Sequence, residues 1–321
     1  MMQSLNKLFF AIVVFFIAAL MSSNACAEKR IGFLIFSDET RYLEAAKGIK
    51  DKLSEAGYTG SNTHYLIEEA GANKAKAVEL AQKFAIEKFN LIIALGTSSA
   101  VILAKEIKDV PIVFSVVYDP VEAGIAKSWK SSGNNTTGTS TKVSMVKVLD
   151  NLKLLRPVKR LAVLYTAGEK NSESVLTDLE NIQTKTGIKT IPVLIAANED
   201  IDRLLPEVLH TVDGIYITGS NLVNSRIATI VDLATKAGVV TVSHLEDLIE
   251  KGVLMGVCAD PYAVGRHAGE KAVKILRGAK PSSLSIDVPT KFEVILNMKT
   301  AREGQFPIPS EFMKKVTKKI K

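Results

Sequence analysis

Two short loops, Gly96-Thr97-Ser98-Ser99-Ala100 and Gly219-Ser220-Asn221, each stand between an apolar run and an amphipathic stretch, so each reads as a turn from a strand into a helix. At such a junction the glycine permits the tight turn, a hydroxyl or amide caps the helix, and the free N–H groups carry partial positive charge. That combination can hold a carboxylate or another small anion. An ordinary N-cap looks the same; the recurrence of the loop in both halves of the chain is what points to a ligand. A second pair of polar loops follows the first apolar run of each half: Ser37-Asp38-Glu39-Thr40-Arg41, and Thr166 to Ser172. Asn171 and Ser172 in the latter serve equally as contacts or as caps. Two Asp-Pro pairs, Asp119-Pro120 and Asp260-Pro261, close strands. Proline starts a turn there. A carboxylate in that place also suits a ligand ammonium, with Tyr118, Tyr262, Tyr42 or His244 as a flat wall.

Patterns for catalysis do not complete themselves. The loop at Gly96 misses the G-x-S-x-G nucleophile elbow because its last residue is Ala100. No G-x-G-x-x-G follows the first strand and no Walker lysine is present, which disfavours nucleotide cofactors. His64, His210, His244 and His267 are scattered singly, without zinc spacing. The expectation is a binding protein, not an enzyme, with no cofactor and no metal.

The elements that must position these loops form a repeated unit. Asn90 to Val117 (NLIIALGTSSAVILAKEIKDVPIVFSVV) and Asp213 to Ser243 (DGIYITGSNLVNSRIATIVDLATKAGVVTVS) each run strand, polar loop, helix, β-branched strand. Strands continuous in Val, Ile and Leu belong in parallel sheets covered on both faces. The pattern therefore predicts two Rossmann-like α/β lobes whose loops face each other across a cleft. The polar run Ser131 to Gly138 carries no apolar period and is the expected linker. Phe312, Val316 and Ile320, spaced by four among Lys314, Lys315, Lys318, Lys319 and Lys321, predict an amphipathic C-terminal helix with a solvated basic face. A final strand pair is expected over Ile286 to Asn297.

The first 27 residues read as a signal peptide: Lys7, the apolar run Leu8 to Leu20, then Ala25-Cys26-Ala27. Thirteen apolar residues are short of the roughly 20 that span a bilayer. Export with cleavage, and so a periplasmic location, is expected; a lipid anchor through Cys26 is the alternative, weakened by Ser23 three positions earlier. Cys258 is then the sole thiol, so no internal disulfide forms. The chain carries a formal charge of +7, spread along its length, and no aromatic residue interleaves with the lysines, so nucleic acid is not an expected partner.

With these residues in view, the chain resembles the extracytoplasmic substrate-binding proteins of ABC transporters, in the family that includes the tryptophan/tyrosine-type binding proteins. The resemblance spans the chain beyond the leader and is carried by LIIALGTSSA, VPIVFSVVYDPVEAGI, NTTGTS, VKRLAVLYTAGEKNS, DGIYITGSN and the stretch from Asp260 to Gly269 leading into KAVKILRGAKP. It implies a type I periplasmic-binding-protein fold with a three-crossover hinge: residues 28–138 plus 258–291 in lobe 1, and 139–257 plus 292–321 in lobe 2. It implies a monomer that captures a small ligand, an amino acid and an aromatic one among the options, and delivers it to membrane permease subunits. Presentation to a membrane receptor kinase or cyclase is the alternative. By the same resemblance Thr97, Ser98 and Ser99 hold a carboxylate, Asp119 or Asp260 an ammonium, and Asn171, Ser172 and Asn221 contribute from the opposite lobe. The first loop, SDETRY, lacks the Glu-His-Pro found in many members, and Ser220 stands where Asp is common. Both departures fall at the cleft.

Overall fold

The computed structural model describes residues 28–321. The segment read as a signal peptide, Cys26 included, lies outside them. One sheet holds β1 (Lys29–Ile35), β2 (Thr63–Glu69), β3 (Leu91–Leu95), β4 (Ile112–Val117) and β5 (Thr136–Ser140), all parallel, in the order β2-β1-β3-β4-β5. The other holds β6 (Arg160–Tyr165), β7 (Lys189–Leu194), β8 (Gly214–Ile217), β9 (Val240–Ser243), β10 (Met255–Cys258), β11 (Glu293–Asn297) and β12 (Lys318–Ile320), in the order β12-β11-β10-β9-β8-β6-β7. Only the β10–β11 pair is antiparallel.

The strands form where the residues demand burial on both faces. β3 and β4 are buried at every position. In β6, Leu161 and Val163 join one core with Tyr216 and Val242, while Ala162 and Leu164 join another with Ile215 and Ile217. That is the two-residue alternation of a strand between two helical layers.

After Ser140 the chain passes to the second sheet; after Cys258 it returns as the helix Pro261–Leu276, which packs on the first sheet's side against the helix Thr40–Glu55. The two helices touch backbone to backbone: a Cβ on Gly48 would lie 2.3 Å from the Tyr262 carbonyl oxygen, and one on Gly265 2.2 Å from that of Ala45. No other residue fits there. This contact fixes the direction of the helix Thr40–Glu55, whose first turn carries Arg41 and Tyr42. The chain passes once more to the second sheet between Asp287, bridged to Thr139, and β11.

Three local expectations change. The run Ser131 to Gly138 is not a free linker; it leads into β5, with Ser132, Thr136 and Thr137 buried. The hydroxyls of the run and of β5 find partners inside the fold: Ser132 Oγ donates to the Thr136 carbonyl, and Thr139 Oγ1 to that of Val264. Burial there is polar, so no apolar period announces it. At the C-terminus one turn, Ser310–Met313, is followed by β12 instead of a continuing helix. Phe312 is fully buried and β12 pairs with β11, so sheet pairing outcompetes the four-residue spacing. Residues 286–297 give one strand, β11, instead of a pair.

Candidate functional site

The loops at the carboxyl ends of the strands of both sheets converge on one small cavity, of about 20 Å³. Arg41 and Tyr42 come after β1, Thr97 after β3, Val116 and Tyr118 from the end of β4, and Thr141 after β5. From the other sheet come Asn171 after β6, Gly219 after β8, and His244 with Leu245 after β9. Every contributing position is where open α/β sheets bind ligands.

Local backbone geometry shapes this cavity. Gly96 has φ +93°, and a Cβ there would sit 3.0 Å from the Tyr42 ring, so glycine alone lets Tyr42 lie beneath the first turn of the helix Thr97–Glu106. Val116 has φ +56°, beside a register shift between Phe114 and Val117. A β-branched residue in that region costs about 1–3 kcal/mol and is held only where the surroundings impose it. The bulge turns Val116 and Tyr118 toward the other lobe.

Arg41 ties the two lobes together. Its Nη1 donates to Asp247 Oδ2 at 2.6 Å, its Nη2 to Glu39 Oε2 at 2.5 Å, and its guanidinium lies 4.9 Å from the Tyr42 ring centre. Burial alone would depress the guanidinium's pKa, but Asp247, Tyr42 and Glu39 hold it above the ordinary arginine value. Glu39 in turn accepts from Asn224 Nδ2 of the second lobe at 3.1 Å. Outside this cluster Lys74 Nζ donates to the Gly168 carbonyl at 3.0 Å, again from lobe to lobe.

A ring cluster forms the opposite wall. His244 Nδ1 is hydrogen-bonded to the Tyr216 hydroxyl at 2.8 Å, and its ring stacks on Tyr216 and meets the Tyr118 edge. Burial, with Arg41 adding repulsion, pushes its pKa down to about 3, so the imidazole is neutral. The Tyr118 hydroxyl donates to Asp178 at 2.7 Å, and burial raises its pKa well above that of free tyrosine.

Of the residues singled out by sequence, Tyr42, Thr97, Tyr118, Asn171 and His244 meet at the cavity. Asn171 Nδ2 donates to the Gly219 carbonyl at 2.7 Å. Ser98 and Ser99 follow Thr97 in the same turn; Ser99 is buried and its hydroxyl has no protein partner. Ser172 Oγ donates to the carbonyls of Thr166 and Glu169, both at 3.0 Å, which fastens the start of its helix. Ser220 caps the helix Asn221–Ser225 and bonds Thr166 Oγ1 at 2.6 Å, while the Asn221 N–H donates to Glu169. Asp119 is buried with its oxygens on the N–H groups of Val121 and Glu122 and on Lys142 Nζ. Asp260 is exposed and caps the helix Pro261–Leu276, and the Tyr262 hydroxyl donates to Asp51 at 2.9 Å. Asp260 borders a different space, an open groove of about 1080 Å³ among the segments that cross between the sheets. The sequence pattern gave no sign of Asp247, Lys142 or Asp178, and it placed Arg41 only at the end of a polar loop, without a role. Arg41 had a signal: with Ala45, Ile49 and Leu53 it heads a four-residue stripe that is buried throughout, and a charge at the head of such a stripe requires a partner.

The family model of the ABC transporter substrate binding protein matches residues 30–320. The chain belongs to this family. Such substrate-binding proteins are extracytoplasmic, bind small ligands and work with ABC permeases, and the two-sheet architecture is the type I periplasmic-binding-protein fold. A tyrosine-binding protein of Clostridioides difficile (strain R20291) is 27% identical over 277 residues, 86% of this chain and 80% of its own. An ABC domain from Streptococcus pneumonia in complex with L-Trp is 25% identical, covers 92% of this substrate-binding protein and 100% of its own chain, and superposes with a TM-score of 0.86. The ligand-free, open structure of a substrate-binding protein with adhesive properties from Clostridium difficile is 28% identical, covers 91% of this chain and 100% of its own, and superposes with a TM-score of 0.72. Among the described residues no helix is long and apolar enough to cross a membrane.

Proposed function

We propose that this substrate-binding protein captures a free amino acid between its lobes and hands it, in the closed form, to the membrane subunits of an ABC permease. One observation carries the reading. The strand ends of both sheets meet at a cavity that combines a helix N-terminus at Thr97, a guanidinium at Arg41 and the rings of Tyr42, Tyr118 and His244. A helix N-terminus favours a carboxylate, and aromatic walls favour an apolar or aromatic side chain. The relatives named for tyrosine and bound to L-Trp support the amino-acid class. The better superposition on the Trp-bound relative than on the open one supports a closed arrangement of the lobes here.

Binding without turnover fits the same residues. His244 Nδ1 is engaged by the buried Tyr216 hydroxyl, and burial keeps the imidazole neutral. Export as a soluble monomer after loss of the leader completes the proposal. The test is mass spectrometry of whatever copurifies, followed by calorimetric titration with the twenty L-amino acids. Saturable binding of at least one, recovered chemically unchanged, is the expected result; none bound across the panel rejects the amino-acid class.

A further inference from the structure

We propose that the amino acid seats by inserting into the Arg41–Asp247 ion pair, its carboxylate taking the guanidinium and its ammonium taking the aspartate; this rests on the amino-acid reading above. The pair joins the lobes at 2.6 Å with side chains only 3% and 2% exposed, so it lies at the closing surface and not at the rim. Arg41 itself lines the cavity, as do His244 and Leu245 just before Asp247.

Two observations show that the cluster is short of donors. Asp247 Oδ1 is buried with no hydrogen-bond partner, and so is Asn224 Oδ1, although the amide nitrogen of Asn224 is engaged by Glu39. Two buried acceptors without partners on one lobe are costly and call for a donor. An ammonium brings three. The charges agree: Arg41 is one cation against the two carboxylates of Glu39 and Asp247. Arginine meanwhile has five N–H donors in a planar fork, a match for a carboxylate.

Charge balance decides which ligand the pair admits. A zwitterion adds no net charge and leaves both Arg41 and Asp247 partnered, now through the ligand. A simple carboxylate would take Arg41 and strand Asp247; a simple amine would take Asp247 and strand Arg41. Stranding one member of a buried pair is the expensive event. The pair therefore selects for both charged groups of an amino acid at once and couples their recognition to lobe closure.

The experiment is calorimetric titration of the wild-type protein, Arg41→Gln and Asp247→Asn with L-tyrosine and L-tryptophan, and with the analogues lacking one charge: tyramine, tryptamine, 3-(4-hydroxyphenyl)propanoate and indole-3-propanoate. The wild type should hold the zwitterions roughly 30-fold or more tighter than any analogue, and each variant should lose a comparable factor for the zwitterions. Asp247→Asn should also narrow the gap between each zwitterion and its propanoate. Thermal melts verify folding, and if Arg41→Gln does not fold, Arg41→Lys, which keeps the charge but loses the fork, should still weaken zwitterion binding roughly tenfold. Zwitterion affinities within threefold of wild type in a folded variant overturn the insertion and leave the amino-acid reading standing. A wild type that binds neither amino acid, while binding none of the other eighteen, removes both.

Discussion

Lys142 Nζ lies 2.7 Å from Asp119 Oδ2 and 2.9 Å from Asp178 Oδ2, so the first segment to cross between the sheets is pinned to both lobes at once. Burial would lower the lysine's pKa, but its bonds to Asp119 and Asp178 raise it above the ordinary value. Asp119 is thereby committed to the hinge, and Asp119→Ala should cost about 1–2 kcal/mol of stability while leaving amino-acid affinity within threefold. Urea unfolding and calorimetry check the two halves. Lost affinity at unchanged stability would move Asp119 into ligand contact.

Gly96→Ala tests the turn beneath the cavity. The new methyl meets the Tyr42 ring at 3.0 Å in a left-handed backbone, a strain of about 1–2 kcal/mol that is relieved by moving Tyr42. Affinity should fall and thermal stability should drop modestly. Binding at wild-type strength would show that Tyr42 does not form part of the ligand wall.

Stability should depend on pH through His244. Its folded pKa of about 3 lies below the unfolded value of 6.5, because it is buried against Tyr216 and Tyr118 with Arg41 nearby. Between those values the unfolded chain binds a proton that the folded one does not, so stability is full above pH 6.5 and is lost as pH falls toward 3. The loss at pH 4 is on the order of 3 kcal/mol. Denaturant unfolding from pH 7 to pH 4 measures it, and His244→Gln should flatten that part of the curve. An unchanged slope in the variant assigns the acid sensitivity to other groups.

Asp260→Ala should behave as the loss of a helix cap. Its Oδ1 accepts from the Tyr262 and Ala263 N–H groups and it borders the outer groove, so the cost is about 1 kcal/mol of stability with unaltered binding. A binding defect in the folded variant would place the ligand at that groove.

What the sequence disclosed follows from how each part is buried. β3 and β4, apolar along their full length, were legible because both faces of the sheet are covered, and the repeated glycine loops located the strand ends that meet at the cavity. β5 was not, since its buried side chains are hydroxyls satisfied by distant carbonyls such as Val264 O, 125 residues away. The Asp-Pro motifs at 119 and 260 look alike locally, yet one is buried on Lys142 and the other caps an exposed helix end. Arg41 and Asp247 stand 206 residues apart, and no local pattern records that they meet. Pairing between the two lobes is a property of the tertiary structure, not of any local segment.

The most direct measurement is hydrogen–deuterium exchange with and without a saturating mixture of the twenty L-amino acids. Slowed exchange should appear together in 41–43 and 96–100 of one lobe and in 169–172, 219–224 and 244–247 of the other, with the groove around Asp260 and Asp287 unchanged. Protection confined to one lobe, or centred on that outer groove, would contradict capture between the lobes.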